Sequence, residues 1–103
     1  MRKVIRIDER AYKKLSEFSK EVQAKFWAFF TVLEKEGFLK KPFAKKINQY
    51  LFEIRVKHKG QWRAIYAYIG KKEIVILTVF NKKTQKIQKK EVKKAEQRLK
   101  EYL

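Results

Sequence analysis

Between residues 51 and 80 the chain holds three consecutive runs rich in β-branched and aromatic residues, Leu51–His58, Gln61–Ile69 and Glu73–Phe80. Such side chains fit a pleated, half-buried surface, and the Lys59-Gly60 and Gly70-Lys71 pairs between the runs are turn signals. These connections are too short for parallel crossovers, which need a dozen or more residues, so the spacing predicts an antiparallel meander. A sheet of this kind must cover at least one face, and the remaining elements have to supply that cover.

The covering elements are legible from periodicity. Leu15, Phe18, Val22, Phe26, Phe29 and Leu33 recur at spacings of three and four, one apolar helical stripe. Asp8 offers an N-cap, Ser16 and Ser19 mark a break, and Gly37 is a natural C-cap. Two helices are expected, about 9–18 and 20–36, folded as a hairpin. An aromatic stripe of this spacing reads as core rather than as a cofactor box. Val4, Ile5 and Ile7 predict a short first strand. Residues 37–50, with Pro42, read as a connection. A last helix runs from about Gln88 to Tyr102, with Val92, Ala95, Leu99 and Tyr102 on its apolar side. The expected fold is α+β in the order β-α-α-β-β-β-α, an antiparallel sheet packed against a helical hairpin with a C-terminal helix. All of residues 1–103 read as a single domain, with no repeat or linker.

Charge narrows the function. Lys plus Arg number 28 against 11 acidic residues, a formal net charge of +17. Such self-repulsion is best tolerated when a polyanion or an acidic partner relieves it, and nucleic acid is the commonest such partner. The bland alternatives are a lysine-rich surface or a thermophile's composition, although the latter usually carries matching Glu. With no Cys and one His, disulfides, thiolate nucleophiles and a typical zinc site are excluded, and no cofactor or metal is expected. The first residues lack the long apolar core of a signal peptide, and the longest apolar run, Ile74 to Phe80, is too short to span a bilayer. Cytoplasm is the expected location.

Candidate chemistry starts in the first of the three runs. Phe52, Ile54 and Val56 alternate with Glu53, Arg55 and Lys57, which places the charged set opposite the helical hairpin. A two-residue turn at Lys59-Gly60 would pair Val56 with Arg63 and bury that arginine. A three-residue or bulged turn would pair Lys57 with Arg63 and gather the cations. Burying an unpaired arginine is expensive, so the second register is expected. A further polar, cationic segment follows the last strand run: Asn81, Lys82, Lys83, Thr84, Gln85 and Lys86. Any one of these lysines reads as solvated surface; convergence of three segments on one face is what carries weight.

These residue types suit RNA cleavage without metal, in which the 2′-hydroxyl attacks the adjacent phosphate. Arg and Lys neutralise the developing charge, Arg through paired hydrogen bonds. Candidate groups here are Arg55, Lys57, His58, Arg63 and Lys83, with Lys59, Trp62, Phe80, Lys82, Thr84 and Lys86 as RNA contacts. Proton transfer is open among His58, Glu53, Lys57, Lys83, Tyr66 and Tyr68. Trp62 and Phe80 could stack on unstacked bases, though for Phe80 a core role competes. His58, as a lone histidine, competes with an incidental reading.

Leu51-Phe52-Glu53-Ile54-Arg55-Val56-Lys57-His58, with Trp62-Arg63-Ala64-Ile65-Tyr66, resembles the central hairpin of RelE/ParE-superfamily toxins. Val79 to Lys86, followed by a basic helix through Ala95 and Arg98 to Tyr102, is similar to the HigB-type, phage-related branch. The resemblance spans nearly the whole chain. It implies a toxin that enters the ribosomal A site and cleaves mRNA, and a cognate antitoxin, often of helix-turn-helix type, that covers the basic face. Within it, Arg55, Arg63 and Lys83 match phosphate-binding positions, flanked by Lys57 and Lys82. Glu53 stands where relatives have a basic residue. The tyrosine that some relatives use near the last helix has no counterpart near Lys89, and Tyr102 lies further along. Two other readings remain: a gyrase-inhibiting toxin of the ParE kind, and a non-catalytic RNA-binding module.

Overall fold

A computed structural model describes residues 2–83 and 88–103. Strand β1 (Val4–Ile7) leads into helices α1 (Glu9–Leu15) and α2 (Lys20–Glu36). Four strands follow, β2 (Ala44–Lys46), β3 (Phe52–Lys57), β4 (Gln61–Ile69) and β5 (Glu73–Lys82), and then helix α3 (Lys89–Lys100). Caps form at the expected positions. The Asp8 carboxylate accepts from the Arg10 backbone N–H at 2.9 Å, Ser19 Oγ accepts from Val22 N–H at 3.2 Å, and Gly37 closes α2 at φ 85°. That left-handed angle is one glycine adopts without steric cost.

The strands form one sheet in the order β1-β5-β4-β3-β2. Pairing is antiparallel from β3 to β5, as the turns predict, and also between β2 and β3, whereas β1 joins the β5 edge in parallel, with Val4 opposite Glu73 and Ile7 opposite Ile76. β2 lies within the stretch read as a plain connection. Three residues with two exposed lysines carry no strand signal of their own; the ladder against Phe52–Ile54 creates the strand. Those lysines also blunt the sheet edge against pairing with other chains.

Both faces of the sheet are covered. The helical hairpin lays Leu15, Val22, Phe26, Phe30 and Leu33 on Ile54, Val56, Ala64, Tyr66 and Ile76. On the opposite face α3 sets Ala95 and Leu99 against Leu51, Ile65, Ala67, Val75 and Leu77. Coverage from both sides explains why β4 and β5 are nearly continuous apolar runs rather than alternating ones.

One irregularity decides where β5 aims its last residues. Ile65 pairs with Thr78, but Tyr66 pairs with Ile76, so Leu77 is an extra residue in a β-bulge. Simple alternation would put Ile74, Ile76, Thr78 and Phe80 on one face. The bulge moves the phase by one, so Phe80 packs with the α3 cluster and Val79 with the hairpin cluster. Arg98 of α3 donates from Nη1 to the Leu77 carbonyl at 2.8 Å, which satisfies a backbone acceptor at the bulge. Among the described residues no helix is long and apolar enough to cross a membrane.

Candidate nucleic-acid interface

The site lies where β3, β4 and β5 end together, on the face that also carries α3. Lys57 pairs with Gln61, and the three residues His58, Lys59 and Gly60 connect them, with Lys59 at φ 50° and Gly60 at φ 136°. A β-carbon at Gly60 would be strained by that angle. The turn is closed by His58 N–H donating to Gly60 O at 3.1 Å and by the Trp62 indole N–H donating to His58 O at 2.9 Å. This geometry corrects the expected pairing. Arg63 stands opposite Arg55 rather than Lys57, two residues further along, while the expected face is kept.

Register then brings three rows together across β3, β4 and β5. Lys57, Gln61 and Lys82 form the outermost, Arg55, Arg63 and Phe80 the next, and Glu53, Ile65 and Thr78 the third. Directly opposed residues have Cα atoms about 4.5–5.5 Å apart, so two guanidinium groups face each other across one ladder step. Such a like-charge pair needs a counter-ion. Glu53 supplies it from beneath, its Oε1 lying 3.3 Å from Arg55 Nε and 3.6 Å from Arg63 Nε. Glu53, which breaks the basic pattern of the sequence resemblance, is therefore the buried anion that lets both arginines sit there.

Arg63 is the more constrained of the two. It is only 6% exposed, and its guanidinium donates to the Trp62 carbonyl at 3.0 Å and to Gln61 Oε1 at 3.3 Å. Its Nε has no hydrogen-bond acceptor among the described residues, and nor does the Thr78 hydroxyl on the same face. Burial lowers the pKa of Arg63 from its ordinary value, the Glu53 charge opposes this, and the neighbouring Arg55 adds to it. An arginine still stays charged, because guanidinium deprotonates too far above neutrality. Arg55 is partly exposed and projects from the sheet edge beyond β2.

The other sequence candidates divide. Lys82 joins the cationic rows by virtue of the bulge, and Lys83 follows it immediately, exposed past the strand end. Lys59 is exposed and His58 half-buried in the turn. Thr84, Gln85 and Lys86 lie outside the described residues. Both proposed stacking aromatics need correction. Trp62 pairs with Val56 and Asn81 on the hairpin face, its ring 4.8 Å from that of Phe18, and its indole nitrogen holds the turn. Phe80 is 6% exposed within the α3 cluster. Tyr66 and Tyr68 belong to the hairpin-side core, where burial raises both phenol pKa values; Tyr68 donates to Gly37 O at 2.8 Å. Neither is placed to move a proton at the arginines. Tyr102 donates to the Asp8 carboxylate at 2.8 Å at the far end of α3.

Sequence reading missed what lies beside the arginines at the β3 edge. A groove of about 660 Å³ runs from Arg63, Arg55 and Lys57 to Lys25 and Phe29 of α2 and to Pro42 and Phe43. Lys25 sits on a helix face with no local sign of its role, and Phe43 lies in a stretch that reads as linker. Among the described residues no group of three or more His, Asp or Glu side chains could hold a metal ion.

The family described as phage derived protein Gp49-like (DUF891) matches residues 13–100. The chain belongs to the Gp49-like family. Solved structures place this Gp49-like protein among the RelE toxins in fold. A free, mutant form of E. coli toxin RelE superposes with a TM-score of 0.69 at 14% identity, covering 100% of both chains. An archaeal RelE–RelB complex from Pyrococcus horikoshii matches at 25% identity with a TM-score of 0.60, covering 79% of this chain and 96% of that one. The intact E. coli RelBE toxin–antitoxin complex matches at 16% identity and a TM-score of 0.65, over 80% and 99%. No curated protein sequence matches the chain. The resemblance to the RelE/ParE superfamily, drawn first from β3 and β4, thus extends to the whole architecture.

Proposed function

We propose that this Gp49-like protein is the toxin of a toxin–antitoxin pair and that it cleaves mRNA on the ribosome. The observation that carries this reading is the direct opposition of Arg55 and Arg63 over the single carboxylate of Glu53, with Lys57 and Lys82 in the next row. One buried anion leaves a surplus of cations at the end of a rigid sheet, and a phosphodiester is the ligand that supplies the missing negative charge.

In the proposed reaction the RNA 2′-oxygen attacks the adjacent phosphorus and the bond from phosphorus to the 5′-oxygen breaks. The products are a 2′,3′-cyclic phosphate and a free 5′-hydroxyl. Arg63, anchored by Gln61 and Trp62, and Arg55, more exposed, bind the non-bridging oxygens as charge builds on the phosphorane. Lys57, Lys82 and Lys83 hold flanking phosphates. Glu53 is engaged as counter-ion to both arginines, so proton transfer falls to His58, Lys57 or Lys83. With +17 of net charge the free toxin is attracted to nucleic acid of any sequence, and an antitoxin with an acidic surface, expected to be of helix-turn-helix type, would cover this face. Structures of RelE–RelB complexes with the same toxin fold support an antitoxin partner.

Primer extension on mRNA after a pulse of expression tests the reading. Cuts confined to translated regions are expected, and Arg63→Ala should abolish both cuts and growth arrest while keeping the native circular dichroism spectrum. Normal cleavage by a folded Arg63→Ala protein would remove the site. Arrest with DNA damage and intact mRNA would move the target to gyrase.

A further inference from the structure

We propose that Phe43, backed by Phe29, is a stacking platform for an RNA base next to the scissile phosphate, and that the groove at the β3 edge is a nucleotide subsite. This rests on the nuclease reading for its phosphate but on separate observations for its base. A protein that grips single-stranded RNA generally pairs cations with an exposed aromatic surface. The two aromatics that the sequence offers for this task, Trp62 and Phe80, are committed to the two cores. Phe43 is not. It is 50% exposed, and its ring stands 5.4 Å from that of Phe29 at 41°.

Its position is set by the sheet. Phe43 precedes β2, and its carbonyl accepts the Arg55 backbone N–H at 2.9 Å, so the ring and the guanidinium are carried by directly bonded backbone segments. Because β2 extends only along Phe52–Ile54 and Phe43 O takes the Arg55 N–H, the edge is left uncovered from Val56 to Lys57, and the groove of about 660 Å³ opens there. Its lining combines apolar residues, Phe29, Pro42 and Phe43, with cationic ones, Lys25, Arg55 and Lys57. A nucleotide has the same division, a flat apolar base joined to a phosphate. An acidic peptide also combines charge with apolar side chains. The groove's continuity with the buried Arg63, one of its lining residues, favours the nucleotide.

The test measures cleavage on programmed ribosomes together with a direct contact. Phe43→Ala should lower kcat/KM on the order of 10-fold, the loss typical of one base–aromatic stack, with an unchanged pH profile. Phe43→Trp should restore the rate and Phe43→Leu should not, because an apolar filler replaces packing but offers no ring face. Independently, a 2′-O-methyl RNA trinucleotide, which cannot be cleaved, should give nuclear Overhauser contacts between its base protons and the Phe43 ring. Wild-type rates from Phe43→Ala, equal rescue by Leu and Trp, or a titration without base contacts to Phe43 would each overturn the platform. So would a Phe43→Ala protein that keeps its RNA contacts but loses an acidic peptide. If the wild-type protein fails to cleave on ribosomes yet shows the base contacts, the nuclease reading falls and the platform stands.

Discussion

Two buried carboxylates in this molecule are each flanked by two arginines, and they are used in opposite ways. Asp8, 2% exposed, has both oxygens bonded: Oδ1 accepts from Arg10 N–H and Nε at 2.9 and 3.0 Å, and Oδ2 from Arg10 Nη2 and the Tyr102 hydroxyl at 2.7 and 2.8 Å. Arg98 lies 3.9 Å away, and Glu101 takes a second bond from Arg10 at 3.0 Å. Acid and base are matched, and the cluster ties the end of α3 to the start of α1. Glu53 is equally buried, yet its arginines approach a single oxygen at 3.3 and 3.6 Å. There the cations outnumber the anion, and Arg63 Nε is left without an acceptor among the described residues. A saturated cluster holds the fold together; an under-bonded one, in the proposed reading, keeps charge in hand for a ligand.

The sharpest way to break this contrast is to exchange charge for volume at the two sites. Arg63→Met should reduce cleavage at least about 100-fold, the usual scale for losing one charge-stabilising group. Its urea midpoint should fall less than that of Asp8→Ala, since Glu53 keeps Arg55 as a partner at 3.3 Å. A large drop in midpoint would make the Glu53 cluster structural after all. Asp8→Ala should do the reverse. It removes an N-cap and takes the shared carboxylate from Arg10, Arg98 and Tyr102, at about 3 kcal/mol in urea melts, with cleavage per folded molecule unchanged.

Acid titration reads the same anchor more gently. Burial alone would raise the Asp8 pKa, but hydrogen bonds from Arg10 and Tyr102 outweigh it and hold the group at about 2, below the ordinary 3.8. A carboxyl with a depressed native pKa stabilises the fold above its unfolded pKa, and this is lost as pH falls from about 3.8 through 2. The loss should approach roughly 2 kcal/mol, seen as a steeper decline of stability for wild type than for Asp8→Ala over that window. Equal slopes would mean that Asp8 is not the anchor. Tyr102→Phe gives the smallest effect, about 1.5 kcal/mol for one hydrogen bond to a charged group, and it should raise the Asp8 pKa. Carbon-detected titration of the Asp8 carboxyl checks both.

Much of the fold is legible because it is local. The Ser19 and Gly37 caps, the stripe through Val22, Phe26 and Leu33, and the glycine-bearing turns each depend on neighbours a few residues away. The face of Glu53, Arg55 and Lys57 also follows from simple alternation, since β3 has no irregularity. Errors arise where a residue's neighbour comes from elsewhere in the chain. Trp62 looks like an exposed aromatic beside an arginine until Phe18 arrives from the helical hairpin. Phe43 looks like part of a linker until the Arg55 backbone and Phe29 fix its place.

The residues by themselves determine that this is an α+β chain with a meander, a helical hairpin and far more cation than it can neutralise. Which cations meet is decided only in three dimensions. A three-residue turn sets Arg55 against Arg63, and one extra residue at Leu77 rotates Phe80 and Lys82 onto their face. The physical reason is that side-chain direction along a strand repeats every two residues, so a single-residue change in turn or bulge inverts it, and that single residue is chosen by packing against distant elements rather than by local preference.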